Sequence, residues 1–141
     1  MQQDRLMNST KDIIVNRKRK YMSDIETSKK MAALAVDAIK DKKGEDVKIL
    51  DISEISTLAD FFIIAGGSNR NQVQAIADNV QEQLGRAGFN TKNIEGYDSA
   101  NWVLLDFGDI IVHIFDNDNR LYYDLERIWR DGKLIDSDAL K

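Results

Sequence analysis

The chain has 141 residues, a length that suits one domain and allows a core without a disulfide or metal staple. Hydrophobic residues make up 43% and charged residues 31%, with no cysteine and one histidine, which excludes a thiol nucleophile, a disulfide framework, a cysteine-ligated zinc site and any two-histidine mechanism. The net charge of −4 divides into +4 over residues 1–21 and −8 over the remainder, and an acidic body disfavours broad binding to a phosphate backbone while suiting a basic protein partner.

Residues 1–21 carry Arg5, Lys11, Arg17, Lys18, Arg19 and Lys20 against Asp4 and Asp12 and read as a flexible basic extension. The run Arg17 to Lys20 is either a solvated tail or a contact to nucleic acid, and Met22 offers an alternative natural start. No secretory apolar stretch opens the chain, so export is not expected. No apolar run approaches the roughly 18 residues of a membrane span.

A helix is predicted over 24–43, where Met31, Leu34, Ala35, Ala38 and Ile39 fall on one face, Ser23 or Asp24 caps the start, and Gly44 ends it. Val47 to Ile52 reads as a strand. After a polar connection over 53–60, Phe61-Phe-Ile-Ile-Ala65 is a continuous apolar run, as in a strand buried on both faces. A second helix runs from about Asn69 to Ala87, with Val73, Ile76, Ala77, Val80 and Leu84 on one face, Ser68 or Asn69 as N-cap and Gly88 as the stop. Thr91 to Glu95 is a weak strand, and Trp102 to Asp106 and Asp109 to Phe115 are strong ones joined by a hairpin in which Gly108 takes positive φ. A last helix is predicted over 119–130, with Leu121, Leu125, Ile128 and Trp129 as its buried stripe. The tail after Lys133 reads as frayed. The order αββαβββα, with a right-handed crossover over 61–95 and an antiparallel hairpin, predicts a mixed sheet with helices packed on it, of α/β or α+β class.

Candidate chemistry is sparse. Gly66-Gly67-Ser68-Asn69 lies between a buried strand and a helix, where a phosphate can be held, but the spacing is neither that of a P-loop nor GxGxxG. The turn has the Gly-Ser opening of nucleotidyltransferases, yet those enzymes need two strand carboxylates at i and i+2. Asp106 and Asp109 are three apart across a turn, as are Glu95 and Asp98. His113, in Ile-Ile-Val-His-Ile-Phe, reads as a hydrogen-bonded sheet residue. No cofactor or metal site is indicated.

The aromatics Trp102, Phe107, Tyr122, Tyr123 and Trp129 gather in the last third of the chain, with Trp129 assigned to the core. Phe107 at a hairpin tip, beside Gly108 and the carboxylates Asp106 and Asp109, is either exposed for a protein contact or partly packed on neighbouring loops. Trp102 opens the strand that leads to that hairpin, so both are expected in one patch.

The residues Thr57-Leu-Ala-Asp60-Phe-Phe-Ile-Ile, Gly67-Ser-Asn-Arg70, Ala75-Ile-Ala-Asp78, Glu95-Gly96, Trp102-Val-Leu-Leu-Asp106-Phe-Gly-Asp109-Ile-Ile-Val-His113 and Arg120-Leu-Tyr-Tyr-Asp-Leu125-Glu126-Arg-Ile-Trp129 together resemble the Iojap family of ribosomal silencing factors, in continuous order from about Asp24 to Asp131. The Asn71-Gln72 pair after Arg70 is a small departure from the family pattern. The resemblance implies one domain over 22–132, followed by a tail over 133–141. It implies a five-stranded mixed sheet with flanking helices, shaped like a nucleotidyltransferase but without its catalytic carboxylates. It implies a cytoplasmic, non-catalytic repressor of translation under nutrient limitation. Its partner would be protein number fourteen of the large ribosomal subunit, bound so that the small subunit cannot join, with contact to ribosomal RNA open and a homodimer as the free form. Trp102, Asp106, Phe107, Gly108, Asp109, Tyr122 and Tyr123 are the expected partner-binding residues. The alternative is a nucleotide-binding or nucleotidyltransferase-like enzyme that uses the Gly66-Gly67-Ser68 turn.

Overall fold

A computed structural model of the chain describes residues 25–117 and 132–140. Helix α1 spans residues 25–41. Met31, Ala35, Ala38 and Ile39 are buried along one side, joined by Ala32 and Val36, with Leu34 partly buried beside them. The helix closes when the Gly44 N–H donates to the Ile39 carbonyl at 2.9 Å. Lys43, not Gly44, takes the left-handed conformation, at φ 61°. Gly44 answers a packing need instead, because a Cβ there would run into the Ile39 side chain.

The strands are β1 (Glu45–Asp51), β2 (Phe61–Gly67), β3 (Asn93–Glu95), β4 (Trp102–Asp106), β5 (Ile110–Asp116) and β6 (Lys133–Ile135), with helix α2 (Arg70–Arg86) between β2 and β3. They form one sheet in the order β3-β4-β5-β2-β1-β6. β2 and β5 run parallel and every other neighbouring pair is antiparallel, so the expected mixed sheet is present. The path from β2 through α2 reaches β3 at the far edge, across two intervening strands.

One strand exceeds the expected five. The segment expected to fray after Lys133 instead pairs with β1, placing Ile135 opposite Ile49 and Leu134 opposite Leu50. A short 3-10 turn, Ser137–Leu140, then buries Leu140. The folded unit therefore continues past residue 132. Three residues are too few to show a period of two, and β6 is defined by its pairing with β1. The extension 1–21, the helix predicted over 119–130 with its stripe Leu121, Leu125, Ile128 and Trp129, and the candidates Tyr122 and Tyr123 lie outside the described residues.

Strand alternation divides the core in two. Phe61, Ile63 and Ala65 of β2, Val103 and Leu105 of β4, and Ile110, Val112 and Ile114 of β5 point to the face covered by α1 and α2. There they meet Val73, Ile76, Ala77, Val80 and Leu84 of α2, while Asn79 of α2 donates its buried amide to the Ala38 carbonyl of α1 at 2.8 Å. The opposite face holds a smaller cluster of Leu50, Ile52, Ala59, Phe62, Ile64 and Phe115, with Trp102 and Ile111 packed partly against it. Because β2 is central and contributes to both clusters, all seven of its residues are buried. No helix among the described residues is long and apolar enough to cross a membrane.

The end of the sheet that carries the β4–β5 hairpin is tied down by polar contacts. The Asp109 carbonyl accepts from the Asp60 N–H at 2.7 Å, and the Ser28 hydroxyl of α1 donates to the buried Asp60 carboxylate at 2.7 Å. A buried carboxylate held this way fixes the loop before β2 against both α1 and the hairpin.

Candidate functional site

β4 is half-buried with strict alternation. Val103 and Leu105 enter the main core, whereas Trp102, Leu104 and Asp106 stand on the opposite face and remain partly accessible. Across the ladder, Glu95 pairs with Leu104 and Asn93 with Asp106, which puts two exposed polar residues of the edge strand on the same face. Together these residues form a strip along the sheet edge: an indole at one end, an aliphatic side chain in the middle, and carboxylates beside and beyond it. Four strand steps separate Trp102 from Asp106, about 13 Å.

The indole is held from two sides. Trp102 lies opposite Phe115 on β5, and the rings stack with centroids 5.3 Å apart and planes inclined by 20°. His113 is the diagonal neighbour, within reach of an aromatic side chain. The Trp102 Nε1–H donates to His113 Nδ1 at 3.0 Å. His113 is itself 3% exposed, with Phe62 edge-on at 4.7 Å and Phe115 near-parallel at 6.4 Å. Burial in this apolar setting pushes its pKa down to about 3, so the ring is neutral. The expectation of a hydrogen-bonded sheet histidine is met at Nδ1, while Nε2 has no hydrogen-bond partner among the described residues.

At the other end of β4 the hairpin turns through Gly108, whose φ of +90° is the positive value expected for it. Asp106 braces the turn by accepting the Gly108 N–H at 2.8 Å, and Gly108 and Asp109 are partly exposed. Phe107 corrects the expectation of an exposed tip aromatic: it is 4% exposed and belongs to the main core. The reason is parity. Phe107 follows Val103 and Leu105 onto the helix-covered face, and its N–H donates to the Ile110 carbonyl at 3.0 Å, which folds the turn back over the core. Trp102 and Asp106 thus share a face, and Phe107 lies on the other. Leu104 and Glu95 are the residues the sequence reading missed, although the period-two pattern of β4 already placed Leu104 beside Trp102.

The Gly66-Gly67-Ser68-Asn69 turn is occupied by the chain's own groups. Asn69 is the N-cap of α2 and accepts the Gln72 N–H at 2.9 Å. The Gln72 side chain accepts the Ser68 N–H at 2.6 Å and donates to the carbonyls of Lys42 and Lys43 at 3.1 and 3.0 Å. Glu45 accepts from the Ser68 hydroxyl at 3.1 Å and from the Asn117 amide at 2.6 Å. A phosphate approaching here meets a carboxylate and finds the Ser68 and Gln72 amides already bonded. Gln72 is the brace that closes the turn. Among the described residues no group of three or more His, Asp or Glu is arranged to hold a metal ion.

The chain matches, over residues 25–141, the family described as "Ribosomal silencing factor during starvation". It is 47% identical over 109 residues to the ribosomal silencing factor RsfS of Bacillus subtilis, covering 77% of this chain and 90% of that protein. It is 41% identical over 114 residues to the protein of the same name from Halalkalibacterium halodurans, covering 81% and 97%. A crystal structure of a protein from Chromobacterium violaceum is similar with a TM-score of 0.69 and 40% identity, over 72% of this chain and 84% of that one. With most of its length matched in both sequence and fold, the chain belongs to the family of ribosomal silencing factors.

Proposed function

We propose that this protein represses translation by binding the large ribosomal subunit through its protein number fourteen and keeping the small subunit from joining. The observation that carries the reading is the partly exposed strip Trp102-Leu104-Asp106, flanked by Glu95 and followed by Gly108 and Asp109, on a chain of the silencing family. An indole fixed by stacking and a hydrogen bond loses little freedom when it enters a partner's pocket, and aromatic anchors of this kind dominate interface energetics. Carboxylates around it match a basic ribosomal protein and speed encounter. Phe107 supports the hairpin from inside rather than touching the partner. Steric exclusion needs position and affinity, not turnover, and an interface near 800 Å² per partner is ordinary for such a task.

The same reading places the protein in the cytoplasm, without catalysis, and makes the free protein a homodimer. On this reading residues 1–21 are not needed for large-subunit binding, and a loss of affinity on their deletion that grows at low salt would instead make residues 17–20 a contact to ribosomal RNA. The alternative of a nucleotidyltransferase-like enzyme is disfavoured by the closed Gly66-Gly67-Ser68 turn with Glu45 beside it.

Trp102→Ala should weaken large-subunit binding about thirtyfold, the equivalent of roughly 2 kcal/mol, while the protein stays folded. Co-sedimentation of wild type and variant with purified large subunits, with circular dichroism on the same samples, checks this. Undiminished binding by a folded Trp102→Ala would remove the strip from the interface.

A further inference from the structure

Resting on the reading of Trp102 as a partner anchor, we propose that His113 is a positioning residue whose Nδ1 fixes the orientation of the Trp102 indole for the partner. His113 interrupts the apolar run of β5 at a site that is 3% exposed, between Val112 and Ile114 and against the ring of Phe62. Stability alone favours an apolar residue there. An imidazole brings two polar nitrogens into the interior, and Nε2 has no hydrogen-bond partner among the described residues.

What the histidine contributes is at the other nitrogen. Nδ1 accepts the Trp102 Nε1–H at 3.0 Å, which assigns the remaining proton to Nε2 and leaves that N–H as the unpaired group. The bond runs diagonally between neighbouring strands, from a partly exposed residue to a buried one. With Phe115 stacked on one face of the indole, the bond removes rotation in the ring plane that stacking alone permits. Two independent contacts therefore set the ring. The neutral state that makes Nδ1 an acceptor is enforced by the apolar surroundings.

The test compares wild type with His113→Phe, which keeps the ring and removes the acceptor, and His113→Asn, whose Oδ1 can stand where Nδ1 stood. Hydrogen exchange of the Trp102 indole N–H, followed by NMR in a Trp129→Phe background so that one indole remains, reads the bond directly. Large-subunit affinity reads its consequence. The expected result is a protected indole N–H in wild type, fast exchange and about three- to tenfold weaker binding in His113→Phe, and recovery of both in His113→Asn. If wild type binds the large subunit and a folded His113→Phe binds equally tightly, the positioning role is overturned and the proposed function stands. If wild type shows a protected indole but does not bind the large subunit, the proposed function fails and takes the positioning role with it. If both variants unfold, His113 is a packing residue and the proposal is wrong.

Discussion

Phe107→Ala is expected to lower stability by about 3–5 kcal/mol, the usual cost of removing a large side chain from a packed core. The ring is 4% exposed and packs in the main cluster beneath the β4–β5 hairpin. The same change should reach large-subunit binding only through loss of the fold, since the ring faces away from Trp102 and Asp106. Urea unfolding followed by circular dichroism gives the stability, and binding measured at low temperature, where the variant is still folded, gives the second quantity. A variant with wild-type stability but weakened binding would restore Phe107 to the interface and contradict the parity assignment for β4.

Acid should destabilise the protein through His113. Its folded-state pKa of about 3 lies below the ordinary value of about 6.5, and burial is the cause. Between those values the unfolded chain binds a proton that the folded chain refuses. The contribution is therefore fully present above about pH 6.5 and is lost as pH falls towards 3. Linkage makes the loss on the order of 3 kcal/mol between pH 7 and pH 4. Carboxylates titrate over part of the same range, so the informative quantity is the difference between wild type and His113→Phe. The variant should lose less stability than wild type over the interval from pH 6.5 to pH 5, which lies above the carboxylate range. Parallel pH profiles of the two proteins would show that His113 does not resist protonation in the folded state.

Much of the fold was legible because its elements carry strong local signals. Phe61 to Ala65 is an uninterrupted apolar run, and it became the central strand. Asn69 and Gly88 bracket α2 as cap and stop, and Gly88 takes a φ of +93°. β6 was not legible, because three residues with no marked alternation join the sheet only through β1. The face of Phe107 was missed for a related reason. A hairpin tip reads as exposed, and only the alternation carried from Val103 through Leu105 shows that the next odd position turns inward. The bond between Trp102 and His113 was beyond the sequence altogether. It links residues eleven apart across two strands, and its register is set by the turn at Gly108. Gln72 is similar: its side chain reaches the end of α1, thirty residues earlier in the chain.

Sucrose-gradient sedimentation of purified small and large ribosomal subunits with increasing amounts of the protein reads large-subunit binding and the block to subunit joining together. The protein is expected to travel with the large subunit, and the joined fraction to fall as the large subunit saturates. An unchanged joined fraction at saturating protein would contradict that block.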